Sequence, residues 1–566
     1  MKTYYNKIKT KKIVLPDILQ NICLSFCSVL LIAGFGCQTR QAPVMLSIDQ
    51  YQTPVLINKE YNPLVRICLY VTDSLKSVSV NIITITSKGT SLLDDLETVR
   101  MYYTGKDSAL TVVNRFGESM SPDTVMNFTG NQTLSPGTNY FWVSYKLKPN
   151  ADLLHRVDAG CREILLSSGI SLKPDVPSPP GSQRIGIALR KHGDDDVDTY
   201  RIPGLTTTKS GTLLAIYDVR RERSRDLQGD IDIGLSRSMD GGQTWEPMQI
   251  VLDMDSWGGL PEKYNGVGDA CILADEVTGN VFVAGLWMYG VLDKNGQWIE
   301  GLTNTSTAWN HQWRDKGSQP GFDVKHTSQF LLTESSDDGK TWKKQKNLTK
   351  MLKKYNWWLF APAPGRGITM EDGTLVFPTQ GRDAEGLPFS NITYSKDHGK
   401  TWHISNPAAT NTTESAVVQL SNGSLMLNMR DNRNRKTKGE NNGRAIAVTM
   451  DMGASWTEHP TSHKALKEPV CMASLIKAEY AVHGHEKSIL FFSNPNHQYK
   501  RQHLTIKASF DDGMTWPEKY WLLLDEGRGR GYSCLTQIND TILGILYESS
   551  QADLVFEKIN INEIIK

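Results

Sequence analysis

The residues of this 566-residue chain best equipped for chemistry are three arginines, a tyrosine and a few carboxylates. Arg201 stands in Tyr200-Arg201-Ile202-Pro203, and Arg430 near the end of the strand-like run Leu425-Met426-Leu427-Asn428-Met429-Arg430-Asp431. Arg501 opens Arg501-Gln502-His503-Leu504-Thr505-Ile506-Lys507. A guanidinium stays charged at any working pH and grips a carboxylate through two parallel N–H bonds; the ammonium of the adjacent Lys500 lacks that fork. Converging arginines therefore suit an anionic ligand, whereas a lone arginine is ordinarily a solvated surface group. Tyr532, in Arg530-Gly531-Tyr532-Ser533-Cys534-Leu535, can attack an electrophile only if a base takes its proton, since a free phenol ionises near pH ~10. Without a base, a strand tyrosine is a core residue. Glu414, in Asn411-Thr412-Thr413-Glu414-Ser415, lies 16 residues before Arg430. Asp226 lies 25 residues after Arg201, in a polar stretch from Arg223 to Asp232 that reads as a loop. Asp230 and Asp232 compete with it, although Ile231-Asp232-Ile233 looks like the following strand.

Such residues need a scaffold, and the chain carries a repeat that supplies one. The pattern S/T-x-D-x-G-x-T/S-W occurs at Ser238–Trp245, Ser335–Trp342, Ser395–Trp402, Thr449–Trp456 and Ser509–Trp516. Each copy is a turn: Asp bonds backbone N–H groups two residues on, Gly supplies a positive φ, and Trp packs back between sheets. The aspartates are spaced 97, 60, 54 and 60 residues apart. A period of 50 to 60 residues fits one four-stranded propeller blade; the gap of 97 implies either a large insertion or a blade without the motif. Residues 38–173 read as short strands, for example Ser77–Thr86 and the aromatic Tyr140–Leu147, and suggest a β-sandwich. The Pro-rich segment 174–183 reads as a linker, and 184–566 as the propeller.

The octapeptides resemble the Asp boxes of the sialidase superfamily, whose members are six-bladed propellers. The likeness covers roughly residues 184 to 560 and implies an all-β chain: a six-bladed β-propeller catalytic domain preceded by a β-sandwich domain that resembles carbohydrate-binding ones. Asp boxes are structural and also occur in propellers that are not sialidases, so function must come from the site. Tyr200-Arg201-Ile202-Pro203 is similar to the motif bearing the first arginine of a sialidase triad, and Arg430 and Arg501 match the other two. Sialic acid carries a carboxylate on its anomeric carbon, which three guanidiniums would bind. By the same resemblance Tyr532 is the nucleophile, Glu414 its base and Asp226 the acid/base. Arg220 resembles a secondary arginine contacting the sugar, Asp269 a pocket aspartate, and Glu548 the glutamate that orients the first arginine. A neutral phenol makes sense as nucleophile, because a carboxylate would be repelled by the one already on the anomeric carbon.

The resemblance implies a retaining exo-sialidase, hydrolysing terminal α-linked sialic acids from glycoproteins, glycolipids and oligosaccharides, with no cofactor and no metal. A trans-sialidase or intramolecular trans-sialidase would share the whole constellation. A sialic-acid lectin would lack the Tyr, the Glu or the acid, and all three are present. Net charge of +1 gives no support to a nucleic-acid partner, so the expected partners are sialylated glycans, met by a monomer. Lysines 2, 7, 9, 11 and 12, the apolar run Ile22–Phe35 and Gly34-Phe35-Gly36-Cys37 resemble a lipoprotein signal over residues 1–37. Export follows, to the outer membrane, periplasm or cell surface as a lipoprotein and otherwise as a secreted protein, with membrane contact only through a lipid on Cys37. Cys68, Cys161, Cys271, Cys471 and Cys534 contain no CxxC pair, which argues against zinc or a disulfide framework.

Overall fold

The structure is a computed structural model; it describes residues 44–565 apart from 73–76, 180, 227–228, 258–261, 263–264, 290–317, 325 and 483–484. The signal-like segment and Cys37 lie outside the described residues. From Val44 on, the chain forms one compact unit.

The N-terminal part is a sandwich of two antiparallel four-stranded sheets. One runs Val44–Asp49, Asn62–Val71, Gly137–Leu147, Leu96–Gly105 in spatial order; the other runs Ser171–Leu172, Gly160–Leu166, Ser79–Thr86, Val125–Thr133. Alternation sets the inward face, so Phe141, Val143 and Tyr145 meet Ile83, Ile85 and Ile164 in the core. The alternation of Ser79–Thr86 is imperfect because a bulge between Val80 and Ile82 shifts its phase, burying Ile83 and Ile85.

Among the described residues, six blades then follow, each with a four-stranded core: 199–252, 265–347, 359–404, 412–458, 474–528, and 533–560 completed by Gln183–Arg190; the first two join into one sheet through the pair Ile231–Gly266. The ring closes because Gln183–Arg190, the first strand after the Pro-rich segment, pairs antiparallel with Leu554–Asn560 near the C-terminus. Box one lies in the first blade and box two in the second, so the 97-residue gap is an insertion between Val281–Tyr289 and Gln329–Ser335; its residues 290–317 lie outside the described ones. It is the sixth blade that carries no box.

The sheets do not divide where the Pro-rich segment lies. Val55–Ile57, from the N-terminal part, adds in parallel to Gln183–Arg190 at the edge of the sixth blade, and Arg156–Val157 pairs with Gln183 and Arg184. Val55, Ile57 and Val157 share one apolar core with Ile185, Leu189 and Phe556.

All five boxes build the same turn. In the third, Gly399 N–H donates to Ser395 Oγ at 2.8 Å, while Asp397 accepts from Thr401 N–H at 2.9 Å and Thr401 Oγ1 at 2.6 Å. The aspartate thus reaches the amide four residues on rather than two, closing a wider turn than an Asx-turn. The two residues between Asp and the next polar position both have positive φ, as in His398 (55°) and Gly399 (82°). Those turns also stitch neighbouring blades. Asp338 accepts from Thr208, Ser210 and Thr212 of the first blade at 2.6, 2.7 and 2.5 Å, and the His398 ring meets Asp275 of the second at 2.9 Å. Trp402 packs edge-on against Phe282 of the preceding blade, and Trp245 against Phe556 of the sixth. A ring tied this tightly can hold side chains from different blades at fixed separations.

Candidate active site

Each of the first, second and fourth blades carries a β-bulge at a site residue. The register slips between Arg201 and Gly204, between Gly268 and Cys271, and between Thr412 and Ser415, around Arg201, Asp269 and Glu414. A bulge inserts an extra residue and re-aims its neighbours, which a regular strand cannot do. This explains the Arg-Ile-Pro sequence physically. Ile202 is held at φ 59°, unusual for a β-branched residue, its N–H donates to Glu548 Oε1 at 3.1 Å, and Pro203 sits where the ladder needs no donor. Asp269 likewise has φ 51°.

The six blades together surround a cavity of about 280 Å³, to which Arg201, Asp226, Asp269, Glu414, Arg430, Arg501 and Tyr532 all contribute. The structure therefore brings seven of the nine expected residues to one space. The other two stand behind it. Arg220, expected to touch the sugar, is 1% exposed and lies beneath Asp226, donating from Nη1 to Asp226 Oδ1 at 2.7 Å. Glu548 is buried behind Arg201 and accepts from its Nε at 2.5 Å.

Tyr532 is the centre of the arrangement. Its hydroxyl donates to Glu414 Oε1, and Arg430 Nη1 donates both to Glu414 Oε2 and, at 3.0 Å, to the Tyr532 hydroxyl oxygen. The guanidinium carbons of Arg201 and Arg501 lie 5.6 and 5.4 Å from the centre of the Tyr532 ring. Gly531, at φ 89°, allows this crowding: a Cβ there would meet Pro495 Cγ at 2.8 Å and Arg501 Cβ at 3.1 Å. Burial, with the Glu414 carboxylate beside it, pushes the Tyr532 phenol well above its ordinary range, against the pull of Arg430 and Arg501. The phenol is neutral at rest and carries a built-in proton acceptor.

The three arginines are held differently. Arg201 is paired to Glu548 and Arg430 to Glu414. Arg501 donates only to backbone carbonyls, Arg530 at 2.9 Å and Val470 at 3.2 Å, and has no carboxylate ion pair among the described residues. A ligand carboxylate would supply the counter-charge it lacks.

Asp226 hangs over the mouth with its side chain mainly exposed, 3.8 Å from Arg201 Nη1. Desolvation in the mouth pushes its carboxyl up, but Arg220, Arg201 and Arg501 outweigh that and hold it below the usual carboxylate range. The competitors face elsewhere: Asp232 accepts from Arg221 at 3.0 and 2.5 Å, and Asp230 pairs with the same arginine at 3.3 Å. Burial pushes the Asp269 carboxyl well up, helped by the negative charges of Glu414, Asp218 and Asp226.

Sequence reasoning missed Gln380, Arg382, Thr413 and Arg435, which also line the cavity, and Asp218, which grips Arg220 from behind. Arg435 follows Arg430 within a short polar run; the others carry no motif. The four cysteines Cys161, Cys271, Cys471 and Cys534 are buried thiols.

Fold and cavity thus define a propeller whose central cavity gathers three guanidiniums around a buried tyrosine. Residues 211–545 match the model of the BNR repeat-like domain, and 44–169 that of the N-terminal domain of BNR-repeat neuraminidase. The chain is 40% identical to a sialidase of Bacteroides fragilis, over 93% of this chain and 96% of that protein. It superposes on the solved structure of the Hadza microbial sialidase Hz136 with a TM-score of 0.80 and 39% identity, covering 91% of this chain and 99% of that one. A Trypanosoma rangeli sialidase shares the fold at 20% identity and a TM-score of 0.51, over 67% of this chain and 58% of that one. The chain belongs to the sialidase family of glycoside hydrolases.

Proposed function

We propose that this protein is a retaining exo-sialidase that releases terminal sialic acid from sialylated glycans through a tyrosine nucleophile. The observation that carries this reading is the hydrogen bond from the Tyr532 hydroxyl to Glu414, made inside a cavity that also presents three guanidiniums. The sugar carboxylate binds Arg201, Arg430 and Arg501, which sets the anomeric carbon against the phenol oxygen. As Tyr532 Oη bonds that carbon, its proton passes to Glu414, and the bond to the leaving oxygen breaks while Asp226 delivers a proton to it. Water then attacks the same carbon, giving its proton to Asp226; the tyrosine oxygen leaves and recovers its proton from Glu414. Two displacements retain configuration.

Transient cationic character at the anomeric carbon is offset by the carboxylate it carries, and a charged nucleophile would be repelled by that carboxylate. A neutral tyrosine activated by a partner base meets both demands. The reading is tested by incubating the protein with sialyllactose and a methylumbelliferyl sialoside, with other methylumbelliferyl glycosides as controls. Free sialic acid should appear from both sialosides and no sugar from the controls. Release from another glycoside, with none from the sialosides, would contradict it.

A further inference from the structure

Behind Asp226 lies a carboxylate that the steps above do not use. Asp218 is wholly buried on the strand Leu213–Arg220, in register opposite Arg201. Its Oδ2 accepts from Arg220 Nε at 3.3 Å and Nη2 at 2.8 Å, while its Oδ1 has no hydrogen-bond partner among the described residues. Arg220 turns its remaining nitrogen, Nη1, to Asp226 Oδ1 at 2.7 Å and to the Ser224 carbonyl at 2.9 Å. One buried guanidinium is therefore divided between two carboxylates, one fixed on a strand and one over the mouth.

We propose that Asp218 is a positioning residue for the proton donor: acting through Arg220, it limits how firmly the cation cluster holds the Asp226 carboxylate. The inference rests on reading Asp226 as the acid. A general acid must carry a proton when the leaving group departs, and a carboxylate gripped by several cations resists protonation. Asp226 faces Arg220, Arg201 and Arg501, with the acidic groups of Asp218 and Asp269 near enough to oppose them. Asp218 in turn faces Arg220, Arg201, Asp226 and Asp269. Of the cations on Asp226, Arg201 already has Glu548 behind it, whereas Arg220 has only Asp218. Burial pushes the Asp218 carboxyl up to about 6 against the attraction of Arg220, so at neutral pH it is the charged partner this role needs. A carboxylate serving only to brace the guanidinium fork would use both oxygens; Asp218 uses one.

Asp218→Asn keeps the shape and removes the charge. Arg220 then acts on Asp226 alone, and the alkaline limb of the kcat–pH profile with sialyllactose should move about one pH unit lower. With a methylumbelliferyl sialoside, whose leaving group needs little protonation, the limb should stay. In an Asp226→Asn background the second substitution should cause no further loss with sialyllactose. An unmoved limb, with kcat lowered equally on both substrates at every pH, would overturn the proposal and leave Asp218 a brace. Should the Asn variant fail to fold, Arg220→Lys probes the same link, since one ammonium cannot serve both carboxylates. The limb should then move to higher pH, and an unmoved one overturns the proposal. Asp226→Asn alone separates the two readings: equal losses on both substrates would remove Asp226 as the acid, whatever Asp218 does.

Discussion

Glu548 holds Tyr532 by its backbone. One carboxylate oxygen accepts the Tyr532 N–H at 3.0 Å, and the other accepts Arg201 Nε at 2.5 Å and the Ile202 N–H at 3.1 Å. The return bond, from Glu548 N–H to the Tyr532 carbonyl, is 2.9 Å. A single buried side chain thus fixes Arg201, the bulge that aims it and the backbone of Tyr532, joining the first blade to the last. Burial opposes the charge on Glu548, but Arg201 and the two amides outweigh it and hold the carboxyl low. This is the geometry of a side chain that preorganises its neighbours.

Removing the phenol oxygen tests the nucleophile. Tyr532→Phe should fold normally and still bind a sialic-acid-like inhibitor, while kcat on sialyllactose falls by about 10³-fold or more. Steady-state rates and inhibitor titration separate the two effects. A variant with near-native kcat would mean that another group attacks.

The arginines should differ in what they tolerate. Arg501→Ala should weaken inhibitor binding by roughly 10- to 100-fold, and Arg501→Lys should recover little of it, because the ammonium cannot make two parallel bonds. Inhibitor affinity at constant ionic strength is the measurement. Native affinity in Arg501→Ala would place the third cation elsewhere, with Arg382 and Arg435 the next to replace.

Asp boxes make a stability prediction without a catalytic one. A Cβ on Gly242, which has φ 90°, would meet Phe556 Cε1 of the sixth blade at 2.2 Å. Gly242→Ala should cost about 2–4 kcal/mol and lower Tm, with kcat/KM at 25 °C little changed in the folded protein. An unaltered melting curve would show that the turn is not a ring closure under steric control.

Lys507 carries a pH-dependent cost. It is fully buried, with its ammonium 4.9 Å from the Trp521 ring and 5.6 Å from Phe492, and its one polar contact among the described residues is Asn494 Oδ1 at 3.3 Å. Burial pushes its ammonium down to about 7. The unfolded chain keeps the ordinary value near ~10.4 and so binds more protons between these values, which makes stability rise with pH across that window. Lys507→Met should be more stable than the parent at pH 7, on the order of 2 kcal/mol, with the difference shrinking towards pH 10. Denaturant melts at the two pH values check it; a constant difference would refute the titration.

Most of the propeller was legible because its turns are local. Ser395, Asp397, Gly399 and Thr401 contact one another within seven residues, so the sequence alone carries that geometry. The sixth blade was not legible, since Gln183–Arg190 finds its partner in Leu554–Asn560 at the other end of the domain. Nor was the strand Val55–Ile57, whose apolar residues fit a sandwich as well as a blade edge. Site residues were readable where motif and chemistry coincide, as at Arg201 and Tyr532. Arg220 was read as a contact to the sugar: its setting at a strand end says nothing about depth, and the structure buries it under Asp226. Asp218, two residues earlier, reads as one more alternating strand residue until its partner is seen.

Trapping the covalent intermediate tests the tyrosine mechanism most directly. A 2,3-difluorinated sialic acid, which slows the second displacement, should leave one adduct per protein, and peptide mass spectrometry should place it on Tyr532. The Tyr532→Phe variant should take up no label. An adduct on Glu414, Asp226 or any other carboxylate would contradict the account.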